Sequence, residues 1–153
     1  MSTLRSVFTI AALCLLLTAC GNPQPSLEKD LDTAVKQLER SVDGGQGNGI
    51  LRMNYVTRFS WDQLYIFGPG TTAKEIDQAL GFQWKKGEKL TSKLEKNEDL
   101  LVFTKEDKVI HYVNYSGHGN FAERIKPLRD DQAVFQRVEE KGKTVIRPVT
   151  SFE

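Results

Sequence analysis

Residues whose types could do chemistry include Cys14 and Cys20, His111 and His118, and the acids Asp62, beside an aromatic, and Glu123, five residues after a histidine. Two histidines and a carboxylate can bind zinc. His111, His118 and Glu123 lack the short helical or knuckle-type spacing that brings such ligands together, so no metal is expected. Asp62 follows Trp61. Beside an indole its carboxyl can lose solvent, which raises its pKa and suits it to acid–base work. The simpler reading, and the one expected, is a carboxylate accepting backbone amides at a strand bend. Gly44-Gly45-Gln46-Gly47-Asn48-Gly49 has no Lys-Ser/Thr ending and no strand ahead of it, so it reads as a connector and not as a phosphate loop. A binding module is therefore expected, and no enzyme; the alternative is an enzyme using Asp62, His118 or Glu123, with at least two of them gathered in one pocket.

Arg5 is the only charged side chain before Glu28, and an apolar run follows it from Val7 to Leu17. That run is shorter than the about 20 residues of a membrane-spanning helix. A positive start, a short apolar stretch and small residues read instead as a cleaved secretory signal. Leu17-Thr18-Ala19-Cys20-Gly21 then resembles the lipobox of bacterial lipoproteins, in which an aliphatic residue and two small ones precede the cysteine. The resemblance implies a diacylglycerol thioether on Cys20, cleavage between Ala19 and Cys20, and an N-acyl chain on the new amino group. Cysteine suits that chemistry because its thiolate is the best ordinary nucleophile near neutral pH. Cys14 would leave with the signal, so no thiol would remain for catalysis, metal or a disulfide. Beyond those covalent chains no cofactor is expected.

The membrane is then a partner through the lipid anchor, and the location is the cell envelope. Gly21-Asn22 lacks the aspartate associated with inner-membrane retention, so in a Gram-negative host the resemblance implies the periplasmic face of the outer membrane. Losing Arg5 takes the 21 Lys+Arg to 20, against 20 Asp+Glu. A chain of zero formal charge offers no field for gathering nucleic acid, and none is expected as a partner.

These residues are held by elements whose periods can be read. Residues 1–19 are expected to form the signal peptide, 20–26 a lipid-anchored tether, and 27–153 one domain, a size that suits a single core. Leu27, Leu31, Ala34, Val35, Leu38 and Val42 recur at helical spacing, which predicts a helix over 27–43, capped by Ser26 and joined to the rest by the glycine-rich linker. Over 50–153 a sheet with one short helix is expected. Leu51, Met53, Tyr55, Thr57, Phe59 and Trp61 alternate with polar neighbours as in a half-buried strand, broken near Ser60. Residues 63–67 form a second strand. Thr72-Ala73-Lys74-Glu75 is a capping box that opens a short helix, and Gly81 closes it. Residues 82–99 read as irregular with one short element. Strands over 100–104 and 109–115 form one hairpin, with His111 on the face of Val109, Val113 and Tyr115; strands over 133–139 and 144–149 form another. Pro127 and Asp130-Asp131 bound a loop. The class predicted is α+β, two helices packed on a mainly antiparallel sheet.

Trp61-Asp62-Gln63-Leu64-Tyr65-Ile66-Phe67-Gly68-Pro69 resembles a segment of small bacterial lipoproteins and secreted proteins, a likeness that brings no activity with it. It covers this stretch and the helix that follows, and it departs from the pattern at Gly70, where an aromatic residue is expected. Its aromatic and turn content makes Trp61, Asp62, Tyr65, Pro69 and Thr71 the expected interaction surface, for an envelope protein partner. Thr71 to Gly81 also resembles a phrase of outer-membrane assembly lipoproteins and of inhibitor-like domains, although here strands stand between the two helices. A further alternative is a first helix that pairs with a partner helix, leaving Leu31, Val35 and Leu38 exposed.

Overall fold

The computed structural model describes residues 24–42, 49–122 and 124–149. The expected signal peptide, Cys20, most of the glycine-rich linker and Glu123 lie outside them. The first element is α1 (Leu27–Val42), with Glu28 and Asp30 in its first turn and Arg40 in its last, charges that complement the helix dipole. Leu27, Leu31, Val35 and Leu38 form its buried stripe. None of the last three is exposed for a partner helix.

The strand expected over 51–61 is only three residues long. β1 (Ile50–Arg52) gives way to a single helical turn, α2 (Met53–Val56). The ambiguity is physical. Met53, Thr57 and Trp61 alternate as a strand requires, yet they are also four residues apart, the spacing of one helical side. The turn wins because the Thr57 amide donates to the Met53 carbonyl and the Trp61 indole donates to the Thr57 hydroxyl at 2.9 Å, which stacks the three side chains in the core.

β2 (Gln63–Phe67) leads through a turn to α3 (Ala73–Leu80), whose capping box between Thr72 and Glu75 is complete and whose Gly81 end is left-handed at φ 79°. α4 (Gly87–Thr91) is the one short element within 82–98. β3 (Asp99–Lys105) and β4 (Lys108–Tyr115) form the first hairpin, and β7 (Val134–Glu140) and β8 (Lys143–Pro148) the second. Between them run β5 (Asn120–Phe121) and β6 (Arg124–Arg129). β6 corrects the loop expected at Pro127: proline has no amide to give a central ladder, but an edge strand tolerates it.

The chain is α+β, with α1 and α3 as the two principal helices and α2 and α4 as short additions. One sheet has the order β1-β7-β8-β5 and the other β4-β3-β2-β6; all described pairings are antiparallel except β5 with β8. The second sheet is the middle layer. Leu64, Ile66, Leu101 and Phe103 point to one side, into a core shared with α1 and with Leu51, Phe121, Phe135 and Ile146 of the first sheet. Tyr65, Phe67, Leu100 and Val102 point to the other, against Ile76, Leu80 and Leu94. Burial on both sides explains why β2 and β3 read as unbroken apolar runs and not as alternation.

The register of β4 also differs from simple alternation. Phe103 pairs with His111 and Thr104 with Val109, so a bulge intervenes. The extra residue turns Val109 to the α3–α4 side, while Ile110 packs with Val113 and Tyr115 on the α1 side.

Candidate functional site

Trp61 and Tyr65 do not form a surface. Trp61 is buried on the α1 side of the middle sheet, edge-on to Phe103 at 5.3 Å. Tyr65 is buried on the opposite side, stacked on Phe67, with its hydroxyl donating to Gln63 at 2.6 Å. Burial, with a smaller contribution from the charge of Asp107, raises the pKa of that phenol. Successive strand residues point to opposite faces, so residues 61 and 65 share a side only if the strand is continuous between them; the bend before β2 breaks that parity.

Asp62 is exposed and supports the first hairpin. Its carboxylate accepts the Glu106 amide at 3.0 Å, and its own amide donates to the Thr104 carbonyl at 2.8 Å. This is the role of a carboxylate at a strand bend. His118 lies beyond the other end of β4, roughly 20 Å away along a strand that rises about 3.3 Å per residue. Asp62 and His118 are therefore not brought together, and Glu123 lies outside the described residues.

What remains of the expected surface is the turn after β2. The Thr71 hydroxyl donates to the Gly68 carbonyl at 2.7 Å. Buried Thr91 of α4 donates its hydroxyl to the Thr71 carbonyl at 2.6 Å, and the Gly70 amide returns a bond to the Thr91 carbonyl at 3.3 Å. Tied at both ends, Pro69, Gly70 and Thr71 form one wall of an open cleft of about 810 Å³. Phe67, Ala79 and Pro127 contribute apolar surface, while Glu75 and Lys126 stand on its rim.

A second cleft, about 480 Å³, lies between the start of α1 and the loop after β4. There His118 Nδ1 is 3.3 Å from Asp32 Oδ1, and Lys36 donates to the other Asp32 oxygen at 2.6 Å. Lys36 first, and His118 after it, hold the Asp32 carboxyl below its usual range. The Tyr115 hydroxyl donates to the His118 carbonyl at 3.0 Å; its pKa is pushed well up, by burial first and then by Asp32, Glu39 and Asp99. The pair holds the loop to the helix, and among the described residues no three His, Cys, Asp or Glu side chains gather as a metal site.

His111 is buried with its Nε2 unpaired among the described residues, 4.8 Å from the Phe59 ring. Burial lowers its pKa. Ser26-Leu27-Glu28-Lys29 spells a Ser-x-x-Lys pattern, but the Ser26 hydroxyl donates to Asp30 at 2.9 Å, as part of the helix start.

Two features were hidden from sequence reading. Gln24, assigned to the tether, is 2% exposed and belongs to the domain. Its side-chain nitrogen donates to the Val56 carbonyl at 3.0 Å and to Asp30 at 2.8 Å, and its oxygen accepts the Arg58 amide at 2.8 Å. Gln24, expected within the 20–26 tether, is therefore part of the folded domain. Tyr55, expected on the buried side of a strand with Met53, is instead 82% exposed, the large hydrophobic residue that stands out in solvent among those described. Two residues along a strand share a face, whereas two along a helix are about 200° apart, so α2 turns Tyr55 away as it buries Met53. No protein-family model, curated protein or solved structure matches the chain.

Proposed function

We propose that this chain is a lipid-anchored protein of the cell envelope whose folded domain acts as a binding module. The observation that carries the reading is the placement of Cys20. It closes the Leu17-Thr18-Ala19-Cys20 box and stands four residues ahead of Gln24, where the domain's hydrogen bonding begins. Acyl chains on Cys20 would be the attachment; no helix among the described residues is long and apolar enough to cross a membrane. Each buried methylene contributes about 0.8 kcal/mol, and two or more chains hold stably where one does not. In a Gram-negative host the domain would face the periplasm from the outer membrane.

A binding role is favoured over an enzyme that pairs Asp62 with His118, because Asp62 is committed to the Glu106 amide and is remote from His118. The cleft behind Pro69 and Thr71 is where an envelope protein partner would be held: a turn bolted to α4 presents apolar surface between one acidic and one basic rim residue.

Intact mass and membrane fractionation of wild type and Cys20→Ala test the anchor. Wild type should carry the acyl mass and sediment with membranes, and the variant should lack that mass. An unmodified wild-type protein in the soluble fraction overturns the reading. Gln78→Arg with Lys126→Glu, both exposed cleft residues, should reduce co-purification of envelope proteins at unchanged thermal stability.

A further inference from the structure

We infer that the pole of the domain formed by Gln24, Tyr55 and Arg58 lies in the headgroup layer of the bilayer, so that the protein is docked on its membrane and not merely tethered to it. This rests on the lipid-anchor reading.

Chain length sets the geometry. Four residue steps separate Cys20 from Gln24, and a fully extended chain covers at most about 3.6 Å per residue, or about 14 Å in all. Gln24 cannot serve as further slack, because its side chain is buried and bonded at three points to Asp30, Val56 and Arg58. A sulfur whose acyl chains enter the hydrocarbon therefore holds this pole within about 14 Å of the interface. Each polar headgroup layer is itself about 5–8 Å thick.

The side chains found there suit that layer. Tyr55 is adjacent to Val56, whose carbonyl Gln24 holds, and it is 82% exposed. An amphipathic ring at headgroup level is where tyrosine concentrates in membrane proteins. The Arg58 side chain is 70% exposed, 3.2 Å from Asp30, and its guanidinium has five donors of which this contact uses few. Phosphate oxygens match that fork. Asp30, an acid at this pole, accepts from Gln24 at 2.8 Å and from Ser26 at 2.9 Å and lies 3.2 Å from the Arg58 guanidinium, so its charge is paired and not left to repel the lipid phosphates.

Site-specific quenching tests the placement. With Cys14 removed and the Cys20 sulfur alkylated, one introduced cysteine is the only thiol of the lipoprotein. Tyr55→Cys and Lys89→Cys, the latter exposed on α4 across the middle sheet, are labelled with an environment-sensitive fluorophore. Each is inserted into phosphatidylethanolamine–phosphatidylglycerol vesicles carrying a headgroup nitroxide lipid, after intact mass has verified acylation. The label at 55 should shift to the blue and be quenched several-fold more than the label at 89. Equal quenching at the two positions in acylated protein overturns the docking while leaving the anchor intact. So does a label at 55 that shifts to the blue without lipid quenching, since a second protein would then cover the pole. A bare Cys20 in the mass spectrum overturns the anchor, and the docking with it.

Discussion

His111 shows what burial does to a single titratable side chain. Its ring packs beside Phe59 and Phe103, Nε2 has no partner among the described residues, and burial depresses its pKa from the ordinary 6.5. The unfolded chain therefore binds a proton on this residue at a higher pH than the folded one. Stability present above pH 6.5 is lost as the pH falls from that value through the depressed folded one. The expected outcome is a urea midpoint that drops between pH 7 and pH 5.5, with the slope removed in His111→Phe. Asp30, Asp32, Glu75 and Glu139 are also depressed, by hydrogen bonds chiefly from Gln24, Lys36, Thr72 and Thr144 respectively. Their contribution disappears in a separate window, below about pH 4. At this scale the sequence was legible where a role is local: Asp62 accepts an amide at a bend, as its type suggests. Trp61 and Tyr65 were not, because aromatic content is equally consistent with a surface and with a core.

Short elements are specified by turn chemistry, and the two hairpins show it with unequal economy. Both close through two left-handed residues, Glu106 and Asp107 at φ 48° and 57°, Lys141 and Gly142 at 50° and 74°. Positive φ at both positions is what a type I′ turn requires to match strand twist. Glycine takes that conformation freely, whereas a left-handed side-chain residue costs about 1–2 kcal/mol, less for Asp or Asn. Replacing Glu106-Asp107 by Asn-Gly should therefore raise stability by about 1 kcal/mol, read as a higher urea midpoint, with the Asp62 bond to the residue-106 amide retained. The α3 cap and stop and both hairpins were readable for the same reason, since their determinants lie within a few residues. β1 and β4 were less so. A period of two cannot distinguish Met53-Thr57-Trp61 on a strand from the same residues on a helical turn, and a bulge at Phe103/Thr104 changes side-chain parity without any sequence mark.

The whole molecule is a middle sheet buried on both sides, with α1 closing the junction to the other sheet. Leu31 is fully buried and packs in the core that takes residues from both sheets. Leu31→Ala should cost about 2–5 kcal/mol, the range for a buried leucine whose cavity does not collapse. Calorimetry should show one transition at lower temperature, because the same core joins α1, both sheets and Trp61. A loss below about 1 kcal/mol would mean that α1 is peripheral and free for a partner.

Unaided, the sequence determined the class of the domain, the helix stripe of α1, the capping box and the positions of both hairpins. Each depends on residue types within about one turn or one strand, where local sterics and hydrogen bonding dominate. Tertiary structure alone decided that Gln24 belongs to the domain, that Tyr55 faces out while Tyr65 faces in, and that Asp62 and His118 stand at opposite ends of β4. These outcomes turn on contacts between residues far apart in the chain, such as Gln24 with Arg58 and Asp99 with the Phe121 amide. Burial is a property of such meetings, and no single segment encodes it.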